Sequence, residues 1–204
     1  INSPELRKIF AEVAGIKDSP GWKIIDIDDD DNPDLMLAHY VDESPETIFE
    51  FGHVRGLIVS SERGVIVADS YGYTPIAVAD ELVPTDGVLK LPDIDGCDHE
   101  MTLKNTVFNM GTEGTLVRFT KWNGKIRMST HKKLSGDNSK WGNETRTFAE
   151  IFDELKGDRN LFGDGDYSPY CHYFILSHPE LVVATRYPLK KGLLIYLGYK
   201  EMWN

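Results

Sequence analysis

Seven lysines and arginines fall between Arg118 and Lys140 (positions 118, 121, 125, 127, 132, 133 and 140) against a single acid, Asp137, in a chain whose formal net charge is −11. Among them stands Thr130-His131-Lys132-Lys133, an imidazole followed by two ammonium groups. Such a local excess of positive charge either meets an anionic partner, with phosphate the natural candidate, or forms a solvated face that discourages edge pairing. At the entrance to the same stretch, Thr112-Glu113-Gly114 sets a carboxylate beside a flexible residue. Upstream, Arg55-Gly56 stands at the start of a Val/Ile-rich run. Tyr71 and Tyr73 follow it and read first as packing residues and second as base-stacking surfaces. The acidic run Asp26 with Asp28–Asp31 lacks the central glycine and alternating ligands of a calcium loop and reads as a solvated turn.

These residues need elements to hold them. Thr115–Thr120 and Lys125–Thr130 are β-rich runs around Trp122-Asn123-Gly124, and Asn-Gly is a strong hairpin signal because both residues tolerate positive φ. A second hairpin is expected over 54–69, around Ser61-Glu62-Arg63-Gly64. Ser3, Pro4 and Gly15 bracket a helix over 3–15 with Leu6, Ile9, Phe10 and Val13 on one face. Thr147 and Glu150 form a capping box for a helix over 147–157 with the stripe Phe148, Ile151, Phe152, Leu155. Strands are expected at His172–Ser177, Leu181–Thr185 and Leu193–Leu197, and 80–105 reads as irregular. Strands with scattered helices, rather than alternating βαβ units, predict an α+β fold with mostly antiparallel sheets in one domain over 1–204.

The chain has 204 residues, 41% of them hydrophobic and 11% aromatic, enough for a full core. No apolar run approaches the roughly 20 residues that span a bilayer, and no signal peptide is visible, so a cytoplasmic setting is expected. Cys97 and Cys171 have no metal-ligand spacing and are expected to be free thiols. Residues 1–50 carry thirteen acids against four bases, which places any anion site elsewhere.

The order of these segments resembles the nucleotidyltransferase domain of ATP-dependent RNA ligases of the phage type. Arg55-Gly56-Leu57-Ile58-Val59 is similar to the Arg-Gly-hydrophobic strand ahead of that family's active-site motif. Thr112-Glu113-Gly114-Thr115-Leu116 resembles the tail of its Lys-x-Asp/Glu-Gly-Ser/Thr-Leu motif. Phe174-Ile175-Leu176-Ser177-His178-Pro179 resembles the Phe-Glu-x-x-x-Pro segment beside the nucleotide, and Thr130-His131-Lys132-Lys133 sits where the family has a phosphate-contacting Thr-Lys-Gly-Ser element. The resemblance spans about residues 50–200. It implies the ATP-grasp-like RNA/DNA ligase adenylation fold, ATP and Mg²⁺ as cofactors, and RNA ends as substrates. It implies catalytic places for Glu113, His131 and Lys132, and nucleotide-binding places for Arg55, Gly114, Arg118, Lys133 and Phe174, the last as a stacking wall. Arg118 reads equally as a strand arginine facing solvent, and no metal-ligand set is expected from the chain itself. Two departures stand out. Gly111 occupies the position of the nucleophilic lysine, and Ile175 replaces the carboxylate after Phe174. The family's later Glu-Gly-x-Val and Lys-x-Lys motifs have no counterpart before Asn204. The resemblance therefore leaves three expectations: a shortened form of a longer ligase, a relocated nucleophile among His131, Lys132 and Lys133, or a pseudo-ligase that binds RNA, nucleotide or a protein partner without adenylylation.

Overall fold

The structure is a computed structural model that describes residues 3–29, 31, 33–72, 86, 88–91, 99–102, 104, 114–142, 145–161, 170–179 and 191–202. Helix α1 (Pro4–Ala14) starts where the Ser3 side chain accepts the Leu6 N–H, and Gly15 closes it. Its stripe of Leu6, Ile9, Phe10 and Val13 packs, as expected, onto a sheet of four antiparallel strands. These are β1 (Trp22–Ile27), β2 (Leu35–Tyr40), β3 (Leu57–Ser60) and β4 (Val65–Ala68), paired in chain order. Helix α2 (Pro45–Phe51), capped by the Ser44 side chain, runs into a 3₁₀ turn over Gly52–Val54 that delivers Arg55 to the start of β3.

A second antiparallel sheet is ordered β10-β9-β7-β8, from β7 (Thr115–Trp122), β8 (Lys125–Ser129), β9 (Tyr170–Ser177) and β10 (Leu193–Glu201). The β7–β8 hairpin closes through Asn123 and Gly124 at φ 50° and 74°, the turn its Asn-Gly pair predicts. Helix α3 (Phe148–Lys156) carries the full capping box between Thr147 and Glu150 and buries Phe148, Ile151 and Phe152. A separate two-stranded ribbon pairs β5 (Val88–Leu91) with β6 (His99–Thr102).

Three apolar clusters show how the layers stack. One lies between α1, α2 and the first sheet and contains Phe10, Trp22, Ile24, Met36 and Val59. A second joins the two sheets: Leu35, Leu37, Ile58 and Val67 of the first meet Trp122, Cys171 and Tyr173 of the second. The third lies between the second sheet and α3, with Val117, Phe119, Phe174 and Leu176 against Ile151 and Phe152. Burying a side chain of this size is worth about 1.5–3 kcal/mol, so the face each strand residue takes is strongly specified.

The α+β class with mostly antiparallel sheets therefore holds. Two elements go beyond the sequence reading, and one expectation is corrected. Residues 22–40 form two strands around the acidic turn, because WKIIDI and LMLAHY are buried on or between layers while the acids cluster at the bend. Pro45–Phe51 is a helix of only seven residues, too short to show a periodic stripe. The stretch 80–105 contains β5 and β6 rather than irregular chain alone. The strand expected at 181–185 lies outside the described residues.

Candidate functional site

Arg118 organises the site without facing a ligand. Its place on β7, opposite Ser129 of β8 and Tyr173 of β9, aims the guanidinium between the two sheets, where it is wholly buried. Nη1 donates to the carbonyls of Gly56 (2.6 Å) and Asp69 (2.7 Å), and Nη2 donates to the carbonyl of Thr130 (2.6 Å). One planar cation thus binds together the segment before β3, the end of β4 and the turn after β8. The expectation of a nucleotide-binding or solvent-facing arginine is corrected, because the side chain is wholly buried and three carbonyls already take its charge-assisted hydrogen bonds.

The contact so made is tight. Gly56 has φ +70°, and a Cβ built there would lie 2.5 Å from His131 Cα and 2.8 Å from its carbonyl oxygen. Thr130 then shapes the following turn: its hydroxyl accepts the N–H groups of Lys132 (3.2 Å) and Lys133 (3.1 Å), and its own N–H reaches the Lys133 carbonyl at 2.9 Å. Asp26 of β1 fastens the far end, accepting the Leu134 N–H at 2.8 Å, with Lys133 Nζ 4.0 Å from its other oxygen.

His131 is thereby held half-buried beside His39 of β2, with ring centroids 5.7 Å apart. Burial first, then the charges of Arg55, His39, Lys132 and Arg118, push the His131 pKa down to about 3. Burial likewise lowers His39, helped by Lys132 and Arg55 and opposed by its bond to the Tyr40 carbonyl and by Glu43. Both rings are neutral at pH 7. Among the described residues, neither the half-buried Arg55 guanidinium nor the exposed Lys132 ammonium has a hydrogen-bond or ion-pair partner. A groove of about 500 Å³ opens beside Lys132, lined by Lys23, His39, Lys132 and Lys133 together with Asp42 and Glu43. Two unpartnered cations and two uncharged imidazoles are suited to an anion with hydrogen-bonding oxygens, such as a phosphate.

No family model matches this chain, and no curated protein matches its sequence.

Of the residues named from sequence, Arg55, His131 and Lys132 come together, and Lys132 and Lys133 line the groove, with Lys133 Nζ 4.0 Å from Asp26. Glu113 and Gly111 lie outside the described residues, as do Cys97 and Tyr73. Gly114 lies against β9: a Cβ there would sit 2.6 Å from Ile175 Cγ2 and 2.7 Å from the Leu176 carbonyl oxygen, so its smallness admits the strand crossing. The stacking role of Phe174 is corrected. Its ring lies in the core toward α3, 5.6 Å from Phe119 and 5.9 Å from Phe152, and is 5% exposed. Side chains alternate along a strand, so the neighbouring Tyr173 faces the first sheet instead. There its hydroxyl donates to the Asp69 carboxylate, to which Lys200 Nζ also binds at 2.8 Å. Cys171, a free and buried thiol, lies beneath them, its pKa pushed up to about 11 by burial.

Sequence reasoning missed three contributors. Lys23 and His39 come from the acidic first fifty residues, as does Asp26, which in sequence reads as part of a solvated turn. Their regional charge pointed away from an anion site, and only the pairing Lys23↔His39 across β1 and β2 brings them to the groove.

Proposed function

We propose that this chain is an RNA-ligase-like nucleotidyltransferase domain that grips the phosphates of ATP or of an RNA end with Arg55, His131 and Lys132. One observation carries the reading. The buried Arg118 clasps the Arg55-Gly56 and Thr130–Lys133 segments together, yet among the described residues the Arg55 and Lys132 charges have no partner beside a neutral imidazole. Two antiparallel sheets packed face to face between helices are compatible with the ligase-type scaffold the sequence resembles. The triphosphate of ATP fits this cationic wall. Among the described residues no three His, Cys, Asp or Glu side chains converge on a metal position. A magnesium ion, which typically uses one or two carboxylates and otherwise water and phosphate, fits as a passenger on the triphosphate near Asp42 and Glu43. Bound there it would neutralise phosphate charge.

Neutral His131 retains a lone pair. In a transfer step a ring nitrogen would form a bond to the α-phosphorus while the bond to pyrophosphate breaks, its electron pair leaving with pyrophosphate. Because Gly111 offers no amine, the second reading is a pseudo-ligase that binds without this step.

Two measurements test the proposal. Binding of ATP and of a short single-stranded RNA is titrated at several salt concentrations for the wild type, Lys132→Ala/Lys133→Ala and Lys190→Ala/Lys191→Ala. The first variant should lose about ten-fold in affinity and flatten the salt slope by roughly 0.7 per lost phosphate contact, while the second changes little. Equal binding by both variants rules out the site. Separately, α-labelled ATP with Mg²⁺ followed by denaturing electrophoresis and peptide mapping separates the two readings. Label on the peptide carrying His131 supports transfer, and its absence with binding intact supports the pseudo-ligase.

A further inference from the structure

We propose that His39 is a positioning residue that sets the tautomer of His131, so that the phosphate site always meets a ring nitrogen bearing a lone pair. His39 Nδ1 lies 2.9 Å from the Tyr40 carbonyl oxygen. A carbonyl only accepts, so the proton resides on Nδ1, and in the neutral ring Nε2 is an acceptor. That Nε2 is buried and has no hydrogen-bond partner among the described residues. A buried acceptor left unmet is costly, and the group next to it able to donate is the His131 imidazole, its ring tilted 47° to that of His39. Arg55 and Lys132 also stand near, but the Lys132 side chain is exposed and both are charged, whereas the His131 ring is half-buried against the His39 ring itself.

Among the described residues, His131 in turn has no ring hydrogen-bond partner. A rotation of its ring would direct one N–H toward His39 Nε2, completing a chain from the Tyr40 carbonyl through His39 to His131. Such bonds are often long in unliganded sites and tighten on binding. With that proton committed, the other His131 nitrogen carries the lone pair toward Arg55 and Lys132. There it acts either as a nucleophile or as an acceptor for a hydroxyl or protonated phosphate oxygen of the ligand. The same logic governs metal-bound and catalytic imidazoles, whose reactive nitrogen is chosen by the hydrogen bond the other one makes. The functional consequence rests on the phosphate-site reading above; the tautomer itself does not.

The test is long-range ¹H–¹⁵N correlation of the histidine rings at pH 7 in the wild type, His39→Phe and His39→Gln, alone and with ATP. In the wild type His39 should appear protonated at Nδ1 alone and His131 as a single neutral tautomer. His39→Phe keeps the ring volume but offers no acceptor, so His131 should split into both tautomers and ATP affinity should fall several-fold. His39→Gln supplies an oxygen and should restore the single tautomer. An unchanged His131 spectrum in His39→Phe, or His39 protonated at Nε2 in the wild type, overturns the proposal even if ATP binds. A tautomer effect with no ATP binding in any variant instead leaves the His39–His131 pairing standing and removes the phosphate-site reading. Amide spectra of each variant show whether it is folded, and if His39→Phe is not, the His39→Gln and wild-type spectra still decide.

Discussion

At the scale of the residue, Arg118 shows how a buried charged side chain can shape a candidate site by holding backbone segments together. Burial works against its charge, pulling its pKa below the usual arginine value, and the nearby Asp69 is among the groups that oppose this. What retains it is the geometry of a fork that satisfies three carbonyls on three different segments. Lysine, with a single ammonium on a flexible stem, cannot reproduce that fan of donors. Arg118→Met should strand the carbonyls of Gly56, Asp69 and Thr130. Charge-assisted hydrogen bonds are worth about 1.5–3 kcal/mol each, and losses within one network do not simply add, so a destabilisation of about 3–5 kcal/mol is expected. Arg118→Lys should recover only part of it. Urea unfolding of the three proteins measures this, and a Met variant within about 1 kcal/mol of the wild type would refute the clasp.

At the scale of the element, the β3 and β8 segments are joined by an approach that only glycine permits. Gly56 and Gly64 both have positive φ, +70° and +63°, but an added Cβ at Gly64 meets nothing within 4 Å whereas at Gly56 it collides with the His131 backbone. Both alanine variants should incur the left-handed backbone cost of about 1–2 kcal/mol. Gly56→Ala should incur more, because the turn carrying His131 has to shift, and it should also weaken ATP binding. Comparing unfolding free energies and ATP affinities of the two variants checks this: Gly64→Ala should bind like the wild type, and equal behaviour of the two would show that the approach does not matter. The alternation along β9 makes the complementary point. One residue's difference in position sends Phe174 to the α3 side and Tyr173 to the inter-sheet side.

At the scale of the whole molecule, an acidic protein maintains a small basic site by spending some of its own carboxylates on holding it. Asp26 fixes the turn through Leu134, and Asp34 accepts from Trp122 Nε1 at 3.0 Å, linking the first sheet to the second. Burial first, and then the site's cations, keep His131 and His39 neutral, with consequences for stability. An unfolded histidine titrates near 6.5 and His131 in the fold near 3, so between these values the unfolded chain binds more protons. Stability should therefore fall as the pH drops through that window. The His131 contribution is at most about 1.4 kcal/mol per pH unit, and less because the site is partly open to solvent. His131→Asn should lose stability less steeply than the wild type between pH 7 and 5 in urea titrations. Parallel curves would contradict a neutral His131.

Sequence alone determined the pieces that short-range physics controls. The caps at Ser3 and Thr147, the Asn123-Gly124 turn and the apolar stripes of α1 and α3 are each written within about a dozen residues and fold as read. It also singled out Arg55 and His131–Lys133, because charge and glycine placement are visible without coordinates. Tertiary structure decided everything that depends on which segments meet. Only sheet pairing brings Lys23 and His39 out of an acidic region to the groove, and only packing buries Arg118 and turns it from a ligand into a clasp. The physical reason is that burial and long-range hydrogen bonds set what a polar side chain can do, and neither is a property of its neighbours in sequence.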